Sequence, residues 1–176
     1  FAAADALETD YFSAEKIPVE YDWHYQHNLD LLATSYQYTG QMRKAEDLFT
    51  RSFAIQSTLM VQEFNKREWP VFLLARGRAP EALAAAIVLA AHRSPIVSAT
   101  GHIEAARARL ALGHFQEAAE EGNTALRLMR GTEGAGIVAD SLKAFQGEFL
   151  LRTGKKEQGR PMLESVVRNV RAAPGP

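Results

Sequence analysis

Four glycines recur at nearly equal intervals along the chain, and a polar residue follows each of them. They are Gly40, Gly77, Gly113 and Gly154, separated by 37, 36 and 41 residues. Glycine adopts positive φ without steric cost, so it can end one helix and let the next run back antiparallel to it. The spacing therefore predicts a series of helix pairs, each joined at a glycine.

The apolar residues around these glycines have helical spacing. Before the first glycine, Leu29, Leu32, Ala33 and Tyr36 fall at i, i+3, i+4 and i+7. No stretch alternates apolar and polar residues for long enough to predict a strand, so we expect an all-α protein. The predicted helices span about 2–12, 22–39, 42–57, 59–68, 80–91, 97–112, 115–130, 136–153 and 157–171, with a short one at 70–76.

Proline and glycine indicate where these helices stop. Pro70 follows Trp69 inside an apolar run and predicts a break or kink. Pro18, residues 94–95 and the glycine-rich run at 131–136 predict loops.

The helix pairs predict one domain at 1–171, with repeats at about 22–57, 59–91, 97–130 and 137–171. The helix at 1–12 would belong to an incomplete repeat upstream, and residues 172–176 have the composition of a linker. The first residue is Phe1 rather than Met. We therefore expect this chain to be an excised piece of a longer array.

Composition excludes several classes of protein. The 176 residues are 47% hydrophobic and 23% charged, as is usual for a globular domain and unlike a disordered chain. The net charge of −1 gives no basic excess for nucleic acid, and the longest apolar run, ten residues at 82–91, is too short for a membrane span. This balance hides an uneven distribution, because residues 1–42 carry seven acidic residues against one lysine.

The chain contains no cysteine, which excludes disulfides and thiolate metal sites. That composition fits a reducing compartment and favours the cytoplasm. A periplasmic location stays open if a signal peptide lies upstream.

Enzyme signatures are missing from the sequence. It has no glycine-rich phosphate loop, nucleophile elbow or HExxH motif, so we expect neither catalysis nor a cofactor. His24, His27 and Asp30 follow one another at intervals of three and could share a helix face around a metal ion. No second cluster completes such a coordination sphere, so this hypothesis ranks last.

The residues around the glycines resemble the tetratricopeptide repeat, or TPR. The first repeat supplies Leu29, Leu32, Ala33, Tyr36, Gly40, Ala45, Phe49 and Ser52, and the third supplies Ala105, Ala106, Gly113, Phe115, Ala118 and Ala125. The second and fourth repeats depart from the pattern at Pro70, Gly147 and Gly159. The resemblance covers roughly residues 22–171 and implies a right-handed α-α superhelix, a solenoid of antiparallel helix pairs.

Two further segments resemble the C-terminal half of large, uncharacterised bacterial TPR proteins. They are HYQHNLDLL at 24–32 and the proline-containing WPVFLLARGR at 69–78. This likeness implies no particular activity.

The TPR resemblance also implies a binding surface, because one face of the first helix of each pair lines a concave groove. When the repeats are aligned on their four glycines, the groove positions are His27, Asp30, Thr34, Gln37, Tyr38, Arg67, Arg107, Glu148 and Arg152. The same alignment adds Phe64, Thr100, Ile103 and Ser141. The alternative is that these are solvated positions with internal pairs, such as Glu104 with Arg107 or Glu148 with Arg152.

We therefore expect a non-catalytic scaffold that binds a peptide or a partner helix in its groove. The alternative is a regulatory or sensory module of a larger signalling or transcription protein. A metal-binding or enzymatic domain is the third hypothesis. The partner is expected to be protein rather than nucleic acid, and a homodimer is left open.

Overall fold

The computed structural model describes residues 2–16, 18 and 22–172. Within these ranges the chain forms ten helices and no strand, which confirms the all-α prediction. The helices are α1 (Ala2–Glu15), α2 (Trp23–Tyr38), α3 (Met42–Ala54), α4 (Met60–Asn65), α5 (Glu68–Ala75), α6 (Ala79–Ala90), α7 (Pro95–Ala111), α8 (Phe115–Met129), α9 (Gly136–Arg152) and α10 (Lys156–Ala172). Residues 173–176 of the expected linker, and residues 17 and 19–21 around the loop expected at Pro18, lie outside the described residues.

The glycine turns are confirmed. Gly40, Gly77, Gly113 and Gly154 have φ of 76°, 75°, 81° and 84°, each in the middle of a three-residue link between two helices. These are left-handed conformations, which a residue with a Cβ atom adopts only with strain.

The first turn shows how the helix is closed. The Gly40 amide donates to the Gln37 carbonyl at 3.1 Å, and the Gln41 amide donates to the Tyr36 carbonyl at 2.8 Å. This double hydrogen bond satisfies carbonyls that the helix end would leave without partners. The same pair of bonds closes α7 at Gly113 and α9 at Gly154.

Several predicted helix boundaries are wrong, and the helix expected at 2–12 continues to Glu15. The helix expected at 59–68 ends at Asn65, and the next one begins at Glu68, so the break precedes Pro70 instead of occurring there. Pro70 is the third residue of α5. Backbone N–H groups in the first turn of a helix have no intrahelical acceptor, so a proline, which has no N–H, is tolerated there. The helix expected at 42–57 ends at Ala54, and Pro95 opens α7 rather than lying in a loop.

Contacts divide the chain into two compact units, Phe1–Arg76 with α1 to α5 and Gly77–Pro176 with α6 to α10. We call them unit 1 and unit 2. Their boundary falls within the repeat predicted at 59–91. The single domain predicted at 1–171 stays a prediction.

In unit 1, α2 packs against α1, α3 and α4, and α3 packs against α5. Leu29 and Ala33 of α2 are fully buried, together with Phe49 of α3. The helix at the start of the chain joins this core, because Phe12 packs edge-on against Tyr25 with ring centroids 5.1 Å apart.

In unit 2, α7 packs against α6, α8 and α9, and α9 packs against α8 and α10. Glycines lie where the helices approach most closely. A Cβ atom on Gly101 would overlap the Ala90 backbone, and one on Gly159 would lie 2.7 Å from the Gly147 carbonyl oxygen. These helices can therefore pack backbone against backbone.

Candidate functional site

Five of the predicted binding residues lie along α2 in unit 1. Asp22 starts this helix, since its side chain accepts hydrogen bonds from the amides of His24 at 2.8 Å and Tyr25 at 3.4 Å. Tyr38, at the other end of the helix, is 88% exposed. His27, Thr34 and Gln37 are half-buried, and Asp30 is buried.

Asp30 is the most perturbed titratable group described in the chain. It is 8% exposed, and its Oδ2 atom has no hydrogen-bond partner among the described residues. Burial raises the pKa of Asp30 from 3.8 to about 7, the Ser52 side chain lowers it in part, Glu68 raises it and Arg67 lowers it. Because so little of Asp30 is exposed, it responds to pH through the fold rather than by touching a solute.

Arg67, the sixth predicted residue, lies between α4 and α5. Its guanidinium stacks 3.9 Å from the centre of the Phe64 ring, and its Nε lies 3.3 Å from a Glu68 carboxylate oxygen. Arg67 also lies close enough to Asp30 to lower its pKa. The structure thus places two predicted binding residues, Asp30 and Arg67, in the same part of unit 1.

A layer of buried amides lies in the same unit and was not predicted. Gln26 has no exposed surface, and its Nε2 donates to the carbonyls of Ser52 and Gln62, each at 3.3 Å. Gln26 precedes Leu29 and Ala33 by three and seven residues, so the helical spacing that identifies the core could have found it.

Unit 1 also contains a buried ion pair that was not predicted. Lys66 Nζ lies 2.8 Å from Glu63 Oε1, and the same oxygen accepts the Ser57 amide at 2.8 Å. Glu63 and Lys66 are both buried. The pair therefore ties the loop after α3 to α4.

The structure does not bring the proposed metal ligands into a site. His24 has a 63% exposed side chain, whereas Asp30 is buried. Across the described ranges, no group of three or more His, Cys, Asp or Glu side chains is placed to hold a metal ion.

In unit 2, the predicted residues Arg107 of α7 and Glu148 of α9 contact each other. Arg107 Nη2 donates to Glu148 Oε1 at 3.2 Å, and its Nη1 lies 3.6 Å from Glu104 Oε2. Burial lowers the pKa of Arg107, but Glu104 and Glu148 outweigh it, so the net shift is upward. The pairing expected between Glu104 and Arg107 is confirmed, and Glu148 pairs with Arg107 across two helices.

The opposite side of α7 carries a second polar link. His102 Nδ1 lies 2.6 Å from Glu121 Oε2, and Arg109 Nε donates to Glu121 Oε1 at 3.2 Å. Glu121 belongs to α8, so this cluster joins the two helices of one pair.

Three of the additional groove positions are buried. Phe64, Thr100 and Ile103 are 6%, 3% and 0% exposed, so the expectation that they line a groove is wrong. Arg152 and Ser141 are exposed on α9. Alignment of the repeats on their glycines does not determine how each helix is rotated about its own axis.

Comparison of the chain with protein-family models, with curated proteins and with solved structures gives no match. No helix within the described ranges combines the length and apolar character needed to cross a membrane.

Proposed function

We propose that the chain is a non-catalytic helical-repeat module that binds an extended peptide or a partner helix across the first helices of its pairs. In this proposal the repeats are TPR-like and stack as a solenoid. The binding residues in this proposal are the predicted ones that keep exposed surface, with Glu148 and Arg152 as the accessible charged positions in unit 2.

One observation carries the proposal: the first helices of neighbouring pairs pack side by side within each unit. In unit 1, α2 packs against α4. In unit 2, α7 packs against α9, and Arg107 binds Glu148. First helices that pack side by side form a continuous surface, which is the surface that repeat proteins use for extended ligands.

The charge pattern of unit 2 indicates what such a ligand would offer. Glu148 retains 39% exposure of its side chain beside Arg107, and Arg152 follows one helical turn later. A peptide with a basic and an acidic residue a few positions apart would complement this pattern, because opposite charges fix the register of a complex.

Selection from a library of displayed random peptides tests the proposal. We expect the unaltered chain to enrich peptides that share a charge pattern. The double variant Glu148→Gln with Arg152→Gln should bind them about tenfold more weakly, which corresponds to the loss of about 1.4 kcal/mol.

The matched control is Glu120→Gln with Arg127→Gln, which removes one acidic and one basic charge from exposed positions of α8. This control should bind the selected peptides as well as the unaltered chain does. Failure to enrich any peptide, or equal loss of binding in both double variants, would overturn the proposal.

A further inference from the structure

Two helices, one in each unit, expose apolar side chains to solvent. On α1, Leu7 and Tyr11 are 70% and 53% exposed and lie one helical turn apart. On α10, Val167 and Val170 are 48% and 65% exposed. Apolar side chains at helical spacing form a face, and a face of this kind favours contact with another surface.

The charges that border these two faces are opposite in sign. Helix α1 contains four acidic residues and no basic one. Asp5 and Glu8 turn inward to Arg51 and Asn28, whereas Asp10 and Glu15 are exposed. We call Leu7, Asp10, Tyr11 and Glu15 the acidic face.

On α10, Val167 lines an open groove of about 760 Å³ that is bounded by Leu151 at the end of α9. Leu163 and Val167 form its apolar part. Its rim carries four basic and two acidic side chains, and the basic ones are Lys156, Arg160, Arg168 and Arg171. We call this surface the basic groove.

We propose that the basic groove of one copy of this chain receives the acidic face of α1 from a second copy. Removal of apolar surface from water supplies the attraction, and the opposite charges orient the helix in the groove. The two surfaces are different, so the contact is heterologous, and the assembly retains one free surface of each kind until a ring closes.

The expected contact is weak. One helix face against one groove buries less than about 1,200 Å² in total, which is typical of transient contacts. Charge pairs at an exposed rim are screened by salt. Association should therefore increase with protein concentration and decrease as salt is added.

Sedimentation equilibrium on the whole chain tests this proposal. The average mass should rise above that of a monomer between about 10 µM and about 1 mM. Two charge-reversed variants, Asp10→Lys with Glu15→Lys and Arg168→Glu with Arg171→Glu, should each self-associate at least tenfold more weakly.

An equimolar mixture of these two variants should associate again, because each reversed surface then faces a surface of the opposite sign. The matched control, Glu117→Lys with Glu120→Lys, reverses two exposed acids on α8 and should associate as the unaltered chain does. Circular dichroism establishes that each variant retains its helix content.

Three results would overturn the proposal. They are a monomeric unaltered chain over the whole concentration range, a mixture of variants that stays monomeric, and equal weakening by the α8 control. If the basic groove binds a different protein instead of a second copy, the unaltered chain stays monomeric, which is the first of these results.

Discussion

Each unit buries a carboxyl group on its central helix, and the two carboxyl groups have different neighbours. Glu104 on α7 lies beside the guanidinium of Arg107, which also binds Glu148. Asp30 on α2 lies near Ser52, Arg67 and Glu68, and its burial raises its pKa to about 7. A buried charge is costly unless it is paired, so Asp30 favours its protonated form, whereas Glu104 has a guanidinium beside it.

The two units also differ in how their helices pack. Helices α7 to α10 have 15 to 17 residues, and glycines allow their backbones to approach each other and α6. In unit 1, α4 and α5 have only six and eight residues, and buried glutamines connect α2 to its neighbours. Buried side-chain amides therefore connect helices in unit 1, and glycines allow close helix packing in unit 2.

The largest expected effect concerns pH and Asp30. The folded chain binds the Asp30 proton more tightly than the unfolded chain does, because the pKa is raised from 3.8 to about 7. The free energy of unfolding should therefore be highest below the lower value and should fall as pH rises toward the upper one. Three pKa units correspond to a loss of about 4 kcal/mol.

Asp30→Asn removes the ionisable group, so the free energy of unfolding should no longer fall as pH rises. Urea denaturation followed by circular dichroism between pH 4 and pH 8 measures this free energy. Asp47→Asn, at an exposed position of α3, is the matched control and should retain the pH dependence of the unaltered chain. An Asp30→Asn variant that loses stability with pH as steeply as the control would contradict the pKa assigned to Asp30.

The second effect tests close packing in unit 2. Gly101→Ala places a Cβ atom where the backbone of Leu89 and Ala90 lies, so α6 and α7 must move apart. We expect the free energy of unfolding to fall by about 3 kcal/mol in a thermal or urea titration.

Gly136→Ala is the control for this prediction, because a Cβ atom at that position meets nothing within 4 Å. Alanine in place of an unconstrained helical glycine should be neutral or stabilise by about 0.5 kcal/mol. Equal effects of the two substitutions would argue against a close approach of α6 and α7 at Gly101.

The smallest effect concerns the ion pair of unit 2. Arg107→Met keeps the length of the side chain but leaves Glu104 buried without the guanidinium, and we expect a loss of about 2 kcal/mol. The double variant Arg107→Met with Glu104→Gln should recover part of that loss, since the buried charge is gone. Arg127→Met on the exposed side of α8 should change the free energy of unfolding by less than about 0.5 kcal/mol. Additive losses in the double variant would show that Glu104 and Arg107 are not coupled.

The sequence was sufficient for the helices and their turns, because both are local. A glycine between two runs of helical spacing predicts a left-handed turn from a few residues, and Gly40, Gly113 and Gly154 form the same one. The boundary errors arose where capping decides the result, as at Pro70, which fits the first turn of α5.

The candidate site was less predictable, because it depends on how helices are rotated and on partners far along the chain. Asp30 was expected on an open groove, but it lies buried beside Ser52, which follows it by 22 residues. Gln26 and Gln62 are 36 residues apart, and no local pattern indicates that one donates to the other. The meeting of Arg107 and Glu148 likewise depends on the packing of α7 against α9.

Hydrogen exchange measured by mass spectrometry at pH 5 and pH 8 tests the central comparison most directly. After correction for intrinsic exchange rates, peptides from α2 and α4 should lose protection at the higher pH, and Asp30→Asn should restore it. The same substitution should leave the protection of α7 and α9 unchanged. If Asp30→Asn alters neither unit, or alters both equally, then a buried carboxyl with a raised pKa is not what distinguishes unit 1 from unit 2.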